Sequence, residues 1–288
     1  MAKAIMDQIA THTDSANQGS ASKKSTMAKK AVFITGAGAG IGRATAQCFA
    51  AAGWFVGLYD RDHAAVQGLA QELNNQATGH EKAMAGQLDV TNPEQWQYAL
   101  DAFFSHTGRL DVLVNNAGIL YSGRFEDIAL QQHLNLLNIN LNGVINGCYS
   151  ALPYLQQTPK SRVINLSSAS AIYGQPNLSS YSASKCAVRG LTEALDNEWR
   201  SYGIRVVDVM PLFVQTGMVK DMQNGAIGKL GVHLSADDVA QAIVKLSNRR
   251  ARFMPVHTPI GLPSQVLYSL SSLTPDRINH WINGYLAK

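Results

Sequence analysis

The sequence predicts an α/β domain with a doubly wound parallel sheet of six to seven strands flanked by helices. Three observations carry that prediction. Short, continuously apolar runs such as Ala31–Thr35 alternate with longer segments of helical periodicity. The first run ends in a glycine-rich turn, Thr35-Gly36-Ala37-Gly38-Ala39-Gly40-Ile41-Gly42, that opens a helical pattern. Apolar residues make up 46% of the chain against 15% charged, enough to cover a sheet on both faces.

The elements follow in order. Strand 31–35 passes through the glycine turn into a helix from Ile41 to about Ala52, and Trp54–Tyr59 is the second strand. A helix over 62–75, a strand over 83–88 and a helix over 93–106 come next, the last with Asn92 as N-cap and Pro93 at its first position. Leu110–Val114 is a strand, 126–157 mostly helix, Arg162–Leu166 a strand, 179–202 a helix and Ile204–Met210 a strand. Ser235 caps a helix over 235–248 whose first turn carries Asp237 and Asp238, charges that suit a helix N-terminus. Phe253–Val256 is placed as the last strand, 262–273 as an apolar helical stretch, and Thr274-Pro275 as the start of a final helix to about Leu286. Val188, Leu191, Leu195 and Trp199 recur at helical spacing and form a core-facing stripe. The expected division is a disordered leader over 1–28, a dinucleotide-binding and catalytic domain over 29–256, and an apolar helical extension over 257–288. That extension is either a packing helix pair or a wall of a substrate pocket or partner surface.

Charge and composition exclude several classes. The net charge is +4, but Lys3, Lys23, Lys24, Lys29 and Lys30 against Asp7 and Asp14 give the first thirty residues +3. The sequence pI of 8.9 therefore describes a leader and implies no nucleic-acid face. Residues 11–26 are polar and read as disordered. With Met27 ahead of the first strand, the leader is either native or an added extension. No apolar run of 18 residues predicts a transmembrane segment, and the start of the chain has neither a secretory apolar core nor the arginines of a transit peptide. Cys48, Cys148 and Cys186 are odd in number and lack CxxC spacing, which predicts reduced thiols, no zinc site and a cytoplasmic location. The histidines are scattered, so no catalytic metal is expected.

Two constellations carry chemistry. In the first, the glycine turn lets backbone N–H groups and a helix N-terminus approach a pyrophosphate. Asp60 ends the second strand, 18 residues after Gly42. A carboxylate there accepts hydrogen bonds from ribose hydroxyls and repels a 2′-phosphate, which favours NAD over NADP. Arg61 beside it is a group that could receive that phosphate, and Ala39 adds no second base. Asp89-Val90 follows the third strand and Asn115-Asn116-Ala117-Gly118 ends the fourth, so all these sites lie at the carboxyl ends of strands, where ligands of open parallel sheets bind. In the second, Tyr181 and Lys185 stand at i, i+4 on one helix face. A nearby ammonium favours the phenolate, so the spacing predicts a tyrosine with a lowered pKa able to exchange a proton with an alcohol. Ser168, 13 residues earlier, ends a strand where its hydroxyl can hold the reacting oxygen. Asn140 interrupts a helical stretch, which points to a polar role.

With these residues in this order, residues 30–250 resemble the short-chain dehydrogenase/reductase family; Pro211 after the sixth strand belongs to the same pattern. The resemblance implies a single Rossmann domain holding both sites. It implies Tyr181 as acid/base, Ser168 positioning the substrate oxygen, Lys185 lowering the tyrosine pKa and holding the ribose, and Asn140 carrying a proton relay through water. It also implies Asp89 facing the adenine, Val214 and Thr216 holding the carboxamide, and a homodimer or homotetramer packed through the helices at 126–157 and 179–202. Departures are Leu212 where the family usually has glycine, Cys186 after the lysine, and the apolar tail. Leu212, Ile172, Tyr173 and an apolar segment over 217–234, read as a lid with Met218, Val219, Met222, Ile227 and Leu230, suggest a small hydrophobic alcohol or carbonyl substrate. The expected activity is therefore NAD-dependent interconversion of an alcohol and a ketone or aldehyde. The alternatives are an NADP-dependent carbonyl reductase, a non-catalytic NAD-binding sensor or scaffold, and a lyase or epimerase, for which no extra base is apparent.

Overall fold

A computed structural model describes residues 29–77, 80–217, 234–271 and 277. Seven strands form one parallel sheet in the order β3-β2-β1-β4-β5-β6-β7. They are β1 (Ala31–Thr35), β2 (Phe55–Asp60), β3 (Ala83–Gln87), β4 (Val112–Asn115), β5 (Arg162–Leu166), β6 (Arg205–Pro211) and β7 (His257–Ile260). The helices are α1 (Gly40–Ala51), α2 (His63–Asn75), α3 (Pro93–Thr107), α4 (Leu130–Leu137), α5 (Gly143–Gln156), α6 (Ser179–Trp199), α7 (Ala236–Asn248) and α8 (Leu262–Ser271). This is the Rossmann-like arrangement expected. The order reverses between β1 and β4, and that reversal opens the crevice used below.

Each strand points alternate side chains into two apolar layers. Val32, Ile34, Val56 and Leu58 pack with Phe49 of α1, Leu69 of α2 and Ile243 of α7. Ala31, Phe33, Phe55 and Tyr59 face the other way, onto Trp96 and Phe103 of α3, Leu155 of α5 and Val188 and Trp199 of α6. Phe33 stacks on Tyr59 at 3.9 Å between centroids; truncating such a buried ring costs about 3–5 kcal/mol. The stripe Val188, Leu191, Leu195 and Trp199 faces this second layer, as its spacing requires. Local chemistry sets the helix starts: Asn92 accepts from the Glu94 and Gln95 backbone N–H groups, and Ser235 with Asp238 closes a capping box.

Two sequence expectations need correction. The last strand is His257–Ile260, because Ala251–Phe253 makes a 3-10 turn, so the sheet extends past the boundary placed at 256. The stretch 126–157 is mostly helix as expected, made of α4 and α5 joined by a π-helical turn, Asn138–Asn142. The fourth strand begins two residues later than Leu110. The leader over 1–28, the body of the segment read as a lid and the final helix from Thr274 lie outside the described residues. The ends of the lid segment are close, since Val214 bridges Leu234 and the Gln215 N–H donates to the Leu234 carbonyl at 2.8 Å. Among the described residues no helix is long and apolar enough to cross a membrane.

Candidate active site

A cavity of about 410 Å³ runs along the carboxyl ends of β1, β2, β4, β5 and β6. Its first half is built from backbone. Thr35 Oγ1 accepts from the Asn116 and Ala117 N–H groups at 3.0 and 3.1 Å, and the Asn116 amide donates to the Thr35 and Gly36 carbonyls at 2.9 and 3.0 Å. These bonds clamp the β1 turn against the β4 turn. A side chain at Gly36 would place its Cβ 2.8 Å from Ala117 Cα, and Gly36 holds φ 64°. A Cβ at Gly42 would fall 2.0 Å from the Gly36 carbonyl oxygen, so only glycine lets α1 start this close. Helix α1 begins without a side-chain cap and without an acidic residue in its first turn. Its N-terminus, with Ala39, Gly40 and Ile41 on the cavity wall, therefore presents unshared donors and partial positive charge to an anion.

Asp60 stands at the cavity's edge with its carboxylate held from behind. The Gly38 and Asp62 N–H groups donate to Oδ2 and Oδ1, both at 3.0 Å. Arg61 lines the same end, whereas Arg43 is turned away into an ion pair with Glu72 at 2.6 Å. Asp89 and Val90 also line the cavity; Asp89 Oδ1 accepts from the Thr91 N–H and hydroxyl. This donor set fits a dinucleotide: glycine backbone and a bare helix N-terminus for the pyrophosphate, an oriented carboxylate for a ribose diol, and apolar Val90 and Ile139 for a ring.

The second half is built from side chains. Ser168, Tyr181 and Lys185 all line the cavity; the Ser168 hydroxyl donates to Ser170 Oγ at 3.3 Å and is near enough to the Tyr181 hydroxyl to lower its pKa. The Ser170 N–H donates to Ser168 Oγ at 3.1 Å and fixes that side chain. Lys185 is 5% exposed; Nζ donates to the Leu166 carbonyl at 2.7 Å and lies 5.6 Å from the Tyr181 ring centroid. Burial pulls the Lys185 ammonium down to about 8. Burial pushes the Tyr181 hydroxyl up, opposed by the Ser168 hydrogen bond. Within the protein alone the direction is therefore upward, set by desolvation, rather than the lowering expected from sequence. Asn140 occupies the π-helical turn, fully buried. Its Oδ1 accepts from the Ile119 N–H at 2.8 Å and its amide donates to the Ile119 carbonyl at 2.9 Å.

Most residues singled out from sequence share this cavity: Gly36, Ala39, Gly40, Ile41, Asp60, Arg61, Asp89, Val90, Asn116, Ala117, Gly118, Ser168, Tyr181, Lys185, Pro211, Val214 and Thr216. Gly38, Gly42 and Asn140 stand behind it, as the support of Asp60, the close approach to Gly36 and the brace of Ile119. Ile172 and Tyr173, expected on a substrate wall, are not among the residues that line this cavity. Ile119, Leu120, Leu178 and Phe213 are there instead, alongside Leu212. Phe213 holds φ 28°, a strained conformation for a bulky residue.

The chain belongs to the short-chain dehydrogenases: the family model of that description, short chain dehydrogenase, matches residues 30–226. It is 34% identical over 233 residues to a trans-4-hydroxycyclohexanecarboxylate dehydrogenase of Sinomonas cyclohexanicum, covering 79% of this chain and 89% of that one. It superposes with TM-score 0.73 and 28% identity on the 3-ketoacyl-(acyl-carrier-protein) reductase from Brucella melitensis complexed with NADH, covering 80% and 96% of the two chains. A short chain dehydrogenase/reductase from Burkholderia phymatum in complex with NAD gives TM-score 0.74 at 26% identity, over 84% and 92%. The protein is thus an oxidoreductase of this family with a nicotinamide cofactor site, acting on CH–OH type substrates.

Proposed function

We propose that the protein interconverts a small hydrophobic secondary alcohol and its ketone with NAD(H), and that Tyr181 moves the proton. One observation carries the reading: a backbone-oriented carboxylate, Asp60, and the Ser168–Tyr181–Lys185 group line the same cavity. The nicotinamide ring, when bound, supplies or accepts the hydride. Ser168 donates a hydrogen bond to the substrate oxygen and so favours charge building there. In reduction Tyr181 gives its proton to that oxygen as the carbonyl carbon becomes C–H; in oxidation it takes the proton back. With its pKa raised by burial, Tyr181 is protonated at neutral pH and suited to donation. Lys185, tethered to the Leu166 carbonyl, keeps positive charge beneath the phenol, and a cationic ring nearby would add to the pull on its proton.

Asp60, held by two backbone donors, supports NAD as the preferred coenzyme, because a 2′-phosphate would meet a carboxylate with no freedom to turn away. Ile119, Leu120, Leu178, Leu212 and Phe213 support an apolar substrate; the Sinomonas relative is named for a hydroxycyclohexanecarboxylate, a ring alcohol that also carries a carboxylate. A homodimer or homotetramer in the cytoplasm completes the reading; exposed Leu130, Leu134, Ile145 and Tyr149 on α4 and α5 support an apolar contact between copies. The experiment is coenzyme reduction at 340 nm with cyclic secondary alcohols. A higher kcat/KM with NAD than with NADP is expected. Preference for NADP would assign Arg61 the role given to Asp60, and turnover confined to polyols would remove the hydrophobic substrate.

A further inference from the structure

Tyr181 and Lys185 begin a ridge of α6 that continues at the same spacing through Arg189 and Glu193. Those two residues run onto a buried pair on the sheet. Asp208 of β6 is fully buried and is the register partner of His257 in β7, whose Nδ1 lies 2.8 Å from Asp208 Oδ2. Two helix side chains lie over this pair. The Arg189 guanidinium is near enough to favour the Asp208 carboxylate electrostatically, and His257 Nε2 lies 3.8 Å from Oε2 of the largely exposed Glu193. Tyr268 of α8 closes the cluster, its ring 5.4 Å from the Arg189 guanidinium and 6.3 Å from the His257 ring. Arg189 also donates to the Ala171 carbonyl at 3.4 Å, at the end of the one-turn helix that Ser168 caps. Burial pushes the Asp208 carboxyl up, and the hydrogen bond from His257 and the nearby Arg189 oppose that rise.

The cluster thus touches the helix bearing Tyr181, the turn bearing Ser168 and the strand leading to Pro211. Apolar packing of a helix on a sheet is non-directional, whereas directional hydrogen bonds around a buried carboxylate such as Asp208 favour one register. We propose that Asp208 and His257, acting on Arg189 and Glu193, are positioning residues that lock α6 against the Ser168 turn so that Tyr181 and Ser168 meet the same oxygen. The proposal rests on the reading that these two groups handle the substrate oxygen.

The test compares His257→Leu with His257→Asn, whose amide nitrogen reaches Asp208 from the position of Nδ1, and adds Arg189→Met in case His257→Leu folds poorly. Two readouts are used, each corrected for the folded fraction. The first is kcat and its pH profile alongside NADH affinity. His257→Leu and Arg189→Met should lower kcat about 10–100-fold and displace its pH profile, with NADH affinity within about twofold of wild type. His257→Asn should recover to within about threefold. The second is thiol labelling of Cys186, an exposed residue next to Lys185 whose sulfur lies 3.8 Å from the Ser170 carbonyl. Labelling should quicken several-fold in His257→Leu and Arg189→Met but not in His257→Asn. Unchanged labelling in the first two, or equal kcat in His257→Leu and His257→Asn, overturns the lock. If Tyr181→Phe turns over like wild type, the functional reading fails, and labelling still decides whether α6 is held this way.

Discussion

The two halves of the cavity are made in different ways. The first half is mainly backbone: glycines that admit no Cβ and a bare helix N-terminus, joined by the Asp60 carboxylate and the Asn116 amide, side chains already bonded from behind. The substrate half is side chains: Leu120, Leu178, Leu212 and a strained Phe213 around two hydroxyls and a buried ammonium. Backbone donors fixed by β1 and β4 cannot be exchanged without rebuilding the crossover, whereas the apolar wall changes one residue at a time. On the proposed reading the cofactor half holds the coenzyme, Tyr181 and its neighbours carry the proton chemistry, and the apolar wall is the part free to vary with substrate.

The difference can be broken at its strongest point first. Lys185→Met removes the ammonium beneath Tyr181, and kcat should fall about 10²–10³-fold in steady-state assays. The same change should stabilise the fold. Lys185 is pulled from 10.5 to about 8, so the folded state binds fewer protons than the unfolded state between those values. The penalty is full below pH 8 and fades as pH rises toward 10.5. Thermal melts should show Lys185→Met more stable by about 1–3 kcal/mol at pH 7, with a smaller gain at pH 9. Asp60→Ala comes next: loss of a charged acceptor should reduce the NAD-over-NADP ratio of kcat/KM about 10–100-fold with turnover on NAD retained. Leu212→Gly acts on the replaceable wall and is smallest, raising KM for a cyclic ketone about 5–10-fold with kcat on the same scale.

Most of the sheet was legible because its strands carry apolar runs between helical periods, as in Val32–Ile34 and Val112–Val114. β7 was not. His257-Thr258-Pro259 has no apolar run, and its place depends on pairing with β6 and on Asp208, 49 residues away. The apolar Phe253–Val256 drew the prediction instead, where Arg205 binds the Met254 carbonyl and the chain turns. The glycine turn, Asp60 and the Tyr181–Lys185 spacing were readable because their chemistry is local. The substrate wall was not, since Ile119, Leu178 and Phe213 come from three separate loops whose paths no periodicity records. The upward direction of the Tyr181 pKa was not legible for a related reason: spacing brings Lys185 close, but burial of the hydroxyl depends on the tertiary fold.

The central claim is that one group, Tyr181, couples the two halves by moving the proton. Its most direct test is Tyr181→Phe, assayed at 340 nm with NAD and a cyclic secondary alcohol, while NADH affinity is read by fluorescence titration. The account predicts turnover lower by about 10²–10⁴-fold with NADH affinity within about twofold of wild type. Turnover equal to wild type would contradict it.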